Sequence, residues 1–525
     1  MGAPRRGEDA SDGDPVDAGA SGDTSSGGSG RRRTRRAEPK VALPALHEAV
    51  GQLRERIQGI QLAMSRLPSR VAARTELLRT ILATRIASRL DRVAERLGVG
   101  RPASARALDS RTTQRAIEQL REIDLHLYVL KHLIAWRTDP ALGASLEDAD
   151  TIARALLRPI QQLAATEELG FPQLDVVCAP AAPDEESVWF TLLPPGHPVV
   201  FVPEEFGKDS HRWVSVPHEI GHLIWRGLPG FETEVRQRLG LGAAGLLMRR
   251  DENGYVFDIG APFASWIEEI HCDGITALMM GPTALRGFVA CFSKPDDATG
   301  VLWAYPGEHG RYGDHPPAHL RIHLMSALLE TVGFDVEAKR MLREWSDLHG
   351  SPESLLFPTR DRQAVRVPAA PVIERGVAYI REWYQGGYAS LAGRELRDVH
   401  GFEMSPAMWA QAQRARDDLL RGVSAVRDPR LVLAGAIEAI HARPSAAQNV
   451  AKNLLASIVS PGERRVSSAA KATQRGQRAR PAARREKRAL LDKTALRDAV
   501  VFGEIFAPPR AGVLPARRTD RSARG

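Results

Sequence analysis

Cysteine is scarce in this chain and long apolar runs are missing. Among 525 residues there are three cysteines, Cys178, Cys272 and Cys291. No pair stands at CxxC spacing, so a disulfide framework is not expected, and buried thiols in a reducing compartment are. No stretch of 18 uninterrupted apolar residues occurs, so no membrane insertion is expected. The amino terminus is polar and Gly/Ser-rich, with no hydrophobic segment after its early arginines, which argues against a secretory signal. A cytoplasmic location is expected.

The charge is uneven. Residues 461–525 hold 17 Lys/Arg against 6 Asp/Glu, a net +11, which leaves −3 for the remainder of a chain whose total is +8. The basic character therefore belongs to this tail. Residues 475–488, arginines spaced by Ala, Gly, Gln and Pro, suit a weak, sequence-independent contact with nucleic acid or another polyanion. Aromatic residues are not interleaved there, so base stacking is not indicated. Residues 1–40 are acidic and Gly/Ser-rich, then abruptly basic from Arg31 to Arg36, with almost nothing to bury. Both ends, 1–40 and 459–525, are expected to be disordered.

Between the tails, 43% hydrophobic content is ample for one large core or several smaller ones. From Leu46 an apolar series runs through Val50, Leu53, Ile57, Ile60, Met64 and Leu67 in alternating steps of four and three, a helical seam. Amphipathic helix follows near 78–97, 116–136 and 149–163. Residues 41–165 thus predict a helical bundle, with packing inside the chain preferred over an intermolecular coiled coil. Residues 188–202 are β-rich around a Pro-Pro-Gly turn and read as a hairpin, with Val199 to Val202 placed near the functional site. Residues 294–314, rich in Gly, Asp and Pro with Trp303, Tyr305 and Tyr312, read as a long loop over a cleft. Residues 361–458 return to helix, broken at Gly386 and Gly387. The expected fold is mainly α with a small β-hairpin or sheet (α+β).

The chemistry concentrates at His218, Glu219, Ile220, Gly221 and His222. Two histidines four apart on a helix point the same way and can grip one metal ion, and the glutamate between them can take a proton from a metal-bound water. The setting is helical: Ser215 suits a cap, Val216 and Pro217 a first turn, and Pro229 with Gly230 a stop. A catalytic Zn2+ site needs a third protein ligand and an open fourth position. The metzincin extension is absent, since Leu, Ile, Trp, Arg and Gly follow His222. The better source is residues 262–280, one helix with a polar stripe of Ser265, Glu269, Asp273 and Thr276. A carboxylate on such a face is costly unless paired or metal-bound. Helical phase favours Glu269, with Glu268 and His271 as alternatives. Asp273, one turn on, is placed to accept the outer ring N–H of a ligand histidine.

Further on stand His315, Pro316 and Arg321. The order HExxH, ExxxD, HPxxxxR resembles the gluzincin-type zinc proteases that include the CAAX prenyl protease and the bacterial heat-shock membrane protease. The resemblance covers about residues 210–325 and rests on some ten positions. It implies a zincin-like core at 166–360, with His218, His222 and Glu269 on zinc and Glu219 as general base. It also implies His315 and Arg321 near the metal, polarising a carbonyl or holding a carboxyl-bearing neighbour. Read without it, His315 and Pro316 shape a loop before a helix at 317–332, and Arg321 pairs on a surface. The chain departs from the family in having no membrane segments, which leaves the substrate open beyond a protein or peptide. Two other classes stay in view, a non-catalytic metal-bound scaffold and a polyanion-associated protein working through its tail.

Overall fold

The computed structural model describes residues 43–458, apart from 101–108, 141, 182–186, 190–191, 204–212, 243–247, 252–253, 293–314, 359–363 and 400–401. The expected disordered ends and the loop at 294–314 lie outside the described residues. The described chain is mainly helical, and none of its helices is long and apolar enough to cross a membrane.

Six helices come first: α1 (Leu43–Ser65), α2 (Ser69–Arg74), α3 (Glu76–Thr80), α4 (Ser88–Arg96), α5 (Ser110–Thr138) and α6 (Leu142–Glu167), with a π-helical turn, Ile81–Ala87, joining α3 to α4. The seam predicted in α1 is real: Leu46, Val50, Leu53, Ile57 and Met64 are buried, and the helix packs inside the chain against α4 and α5. Together with α3 and α4 they enclose an amino-terminal core.

Strands β1 (Val177–Ala181), β2 (Ser187–Trp189) and β3 (Val199–Pro203) form one sheet in the order β1-β3-β2. The expected hairpin is the antiparallel β2–β3 pair, in which Val188 faces Val200. β1 adds to it in parallel, Val177 beside Val199. Side chains alternate across a strand, and here the two faces serve different cores. Val177, Ala179, Val199 and Phe201 join the amino-terminal core, whereas Cys178, Val200 and Val202 join a second, larger one.

That larger core is built from α7 (Ser215–Gly227), α8 (Phe231–Arg238), α9 (Gly260–Met280), α10 (Pro282–Phe292), α11 (Ala318–Thr331), α12 (Asp335–His349), hairpin β6 (Ser354–Pro358) and β7 (Ala364–Pro368), α13 (Ala369–Tyr384), α14 (Pro406–Arg421), α15 (Pro429–Ala442) and α16 (Ala447–Ile458), and a hairpin of β4 (Met248–Asp251) and β5 (Gly254–Phe257) stands between α8 and α9 along the chain. Two departures from the sequence boundaries stand out. The buried residues of α6 lie in this larger core and not in the amino-terminal bundle. The helices of 369–458 pack into it as well, α13 lying against α9 and α11. The two short hairpins at 248–257 and 354–368 were not anticipated. Their first strands, Met-Arg-Arg-Asp and Ser-Leu-Leu-Phe-Pro, do not alternate apolar with polar residues, so no strand period marks them.

Candidate metal centre

Helix α7 carries the HExxH segment into the middle of the larger core, touching β2 and β3 on one side and α9 on the other. Ser215, expected to cap it, lies inside the first turn. Trp213 and Val214, both buried, form a 3-10 turn ahead of the helix and Val214 takes the cap position. Crossing α9 closely is possible because Gly221 has no side chain: a Cβ there would stand 2.7 Å from Cys272 Cα and 3.0 Å from its Sγ. The crossing sets the two polar stripes face to face. His218, Glu219 and His222 of α7 and Glu269 and Asp273 of α9 are all less than a tenth exposed.

Their contacts are specific. The Nε2 atoms of both histidines face the Glu269 carboxylate, His218 at 3.2 Å from Oε2 and His222 at 3.3 Å from Oε1. The outer nitrogens face other acids: His218 Nδ1 lies 3.1 Å from Asp273 Oδ1, and His222 Nδ1 lies 2.8 Å from Glu268 Oε1. Arg321, on α11, donates to Asp273 through Nε at 2.7 Å and Nη2 at 2.6 Å. His315 reaches Glu269 Oε2 with its Nε2 at 3.4 Å while its side chain is 60% exposed, which places it at the rim.

The sequence-predicted residues are therefore brought together: Glu269 meets the inner nitrogens, His315 reaches Glu269 from the rim, and Asp273 lies beside the outer nitrogen of His218. Arg321 is not a surface pair. It holds the buried Asp273 and lies over the rings of Phe288 and Phe292 at 5.4 and 5.0 Å. Phe288 in turn meets His218 edge-on at 5.9 Å, so two phenylalanines of α10 form an apolar wall beside the histidines.

Three features escaped the sequence. Glu268, read as part of a core stripe, partners His222. Arg226, one turn beyond His222 on α7, donates to that same Glu268 at 2.7 Å. Cys272 brings its Sγ within 4.8 Å of ligand atoms of both histidines. Of the stripe read as core, Cys272 and Ile275 are buried but Glu268 is partly exposed; periodicity names a face and not what lies across it. His271, the other alternative ligand, points away: it is enclosed by Trp225, Phe231 and Trp383, and burial lowers its pKa to about 3.

The electrostatics follow from burying acids beside imidazoles. Burial alone would raise Glu269, yet His218 and His222 hold it well below the usual carboxylate range. Burial alone would lower His218, yet Asp273 and Glu269 lift it to about 9. Asp273 is lowered against its burial by Arg321. The Cys272 thiol is pushed up to about 12, chiefly by burial.

A metal ion fits this geometry. With Zn–N and Zn–O bonds near 2.1 Å, a tetrahedral site separates neighbouring ligand atoms by roughly 3.4 Å, close to the two Nε2–carboxylate distances of 3.2 and 3.3 Å. Glu269 Oε2 is buried and has no hydrogen-bond partner, so it is free to accept a cation. Both outer nitrogens lie beside carboxylates, the usual support of zinc-bound histidine: His222 Nδ1 in a hydrogen bond with Glu268, and His218 Nδ1 3.1 Å from Asp273 without hydrogen-bond alignment. No family model, curated protein or solved structure matches this chain.

Proposed function

We propose that the chain is a zinc-dependent endopeptidase with a gluzincin-like, zincin-type centre. The observation that carries this reading is the convergence of both histidine Nε2 atoms on the two oxygens of Glu269, with Glu219 buried on the same helix between the two histidines. His218, His222 and Glu269 would hold the ion, leaving a fourth position open. Zinc, when bound, lowers the pKa of a coordinated water to near 7 and polarises a carbonyl.

The chain's own groups supply the rest. Glu219 takes the proton of the attacking water and passes it to the leaving amine, the two halves of general acid–base catalysis. Asp273, fixed by Arg321, keeps the Nδ1 proton of His218 on the outer side and its Nε2 lone pair inward. His315, at the rim and in reach of Glu269, donates to the oxygen of the scissile carbonyl as charge develops on it. The apolar wall of Phe288 and Phe292 limits water around the histidines, which strengthens each of these interactions. The substrate is a peptide or protein segment.

One observation favours a second reading. With Cys272 as a fourth ligand, His218, His222, Glu269 and Cys272 would close the coordination sphere, as in a structural zinc site of a scaffold protein. Glu219→Gln separates the two. In a peptidase it keeps about one equivalent of zinc and loses roughly a hundredfold to ten-thousandfold in peptide hydrolysis. Measured hydrolysis equal to wild type, or none in either protein, would leave the scaffold reading standing.

A further inference from the structure

Each histidine of α7 is backed by a carboxylate, and each of those carboxylates is held by an arginine. On one side the chain of contacts is His218, Asp273, Arg321. On the other it is His222, Glu268, Arg226, with His222 Nδ1 2.8 Å from Glu268 Oε1 and Arg226 Nε donating to that same oxygen at 2.7 Å.

We propose that Glu268, braced by Arg226, is a positioning residue that fixes the tautomer and ring plane of His222 from its outer nitrogen. The inference rests on the zinc reading above and deepens it.

The ring of His222 shows why. Glu268 meets Nδ1 while Glu269 Oε1 meets Nε2 at 3.3 Å, so the two neighbouring acids of α9 occupy opposite edges of one imidazole. Glu268 is thereby turned away from the place where the inner nitrogens converge. An Nδ1–H that donates to Glu268 leaves the Nε2 lone pair directed at the metal position, and a negative partner raises the basicity of that lone pair. Without Glu268 the proton is free to sit on either nitrogen and the ring to turn.

The two braces differ in exposure. Arg321 and Asp273 are buried, whereas the Arg226 side chain is 48% exposed and Glu268 25% exposed. Solvent and salt screen the outer brace, so Arg226 contributes less than Glu268 itself.

The test uses the full chain, with zinc affinity measured by chelator competition and the coordination sphere read from the absorption spectrum of the Co2+-loaded protein. Glu268→Ala is expected to weaken zinc binding about 10- to 100-fold, Glu268→Gln less, because its amide oxygen still accepts the N–H, and Arg226→Gln least. The one-to-one stoichiometry and the Co2+ spectrum stay as in wild type, as does the melting temperature of the metal-free protein.

Wild-type zinc affinity in Glu268→Ala would overturn the proposal. So would a changed Co2+ spectrum with lost stoichiometry, which would make Glu268 a ligand, or a metal-free melting temperature that falls in step with the affinity, which would make it merely structural. A wild-type chain that binds no zinc would remove the metal reading itself, a result distinct from all of these.

Discussion

At the scale of single residues, the centre is defined by which atoms meet the inner nitrogens. Glu269 and Cys272 compete for that description, and their chemistry separates them. Glu269 is held ionised and faces both Nε2 atoms, whereas the Cys272 thiol is raised to about 12 and stays protonated in the metal-free protein. Cys272→Ser should therefore keep one equivalent of zinc with near-wild-type affinity, while Glu269→Gln loses most of it; metal analysis after gel filtration reads the difference, and the reverse pattern would make Cys272 the ligand. The lifted pKa of His218 gives a pH dependence with a definite sign. In the metal-free protein its value rises from 6.5 to about 9, so its charged contacts with Asp273 and Glu269 stabilise the fold fully below pH 6.5. That contribution is lost as pH climbs through about 9. Zinc needs the neutral imidazole and must displace this proton, so zinc affinity rises over the same interval. The gap in melting temperature between zinc-loaded and chelator-treated protein should widen from pH 6 to pH 9. A gap that stays flat would mean that His218 exchanges no proton for metal.

At the scale of elements, the site is the crossing of α7 and α9, and Gly221 is what lets them approach. A methyl group there would meet Cys272 Cα at 2.7 Å and Cβ at 3.0 Å. The obstacle is backbone and not a flexible side-chain end, so the helices must part. Gly221→Ala is expected to cost about 1–3 kcal/mol, as overpacking does, and to weaken zinc binding by drawing His222 from Glu269. Denaturant midpoints and chelator competition report the two effects, and an unchanged midpoint would show that the crossing is looser than its distances state. Both helices were legible in the sequence because breakers bound them, Pro229 with Gly230 after one and Gly281 with Pro282 after the other. Glu269 and Asp273 were legible because they share a stripe that only pairing or a metal could satisfy. Glu268 and Arg226 were not, since their partnership exists only across the crossing. Strand β1 escaped because its parallel partner β3 is some twenty residues away and has no turn to announce it. The β4–β5 and β6–β7 hairpins escaped because β4 and β6 carry no apolar–polar alternation.

At the scale of the whole described chain, the sheet β1-β3-β2 lies between two hydrophobic cores, and one buried ion pair fastens them. Arg137 comes from the end of α5, whose other buried residues belong to the amino-terminal core, and Asp150 comes from α6 in the larger core. Arg137 donates to Asp150 through Nη1 at 2.7 Å and Nη2 at 3.1 Å, and to the carbonyl of Cys178 on β1 at 2.7 Å. Asp150 in turn accepts from the Cys178 N–H at 2.7 Å. Arg137, which is 2% exposed, thus supplies the only positive charge among the hydrogen bonds of this junction. A boundary at residue 165, drawn from helical density, misses it because density does not show which core a helix faces. Arg137→Met keeps the bulk but leaves Asp150 charged, buried and without its cation, a loss of about 3–5 kcal/mol by the measure of broken buried pairs. The proposed metal ligands lie on α7 and α9 in the larger core, away from the contacts of Arg137, so zinc stoichiometry should hold in the variant under conditions where it is folded. Urea unfolding should then show the amino-terminal helices melting ahead of the larger core, where the wild type is expected to melt as one unit. A single transition at the wild-type midpoint would mean that apolar packing across the sheet, and not this pair, couples the two cores.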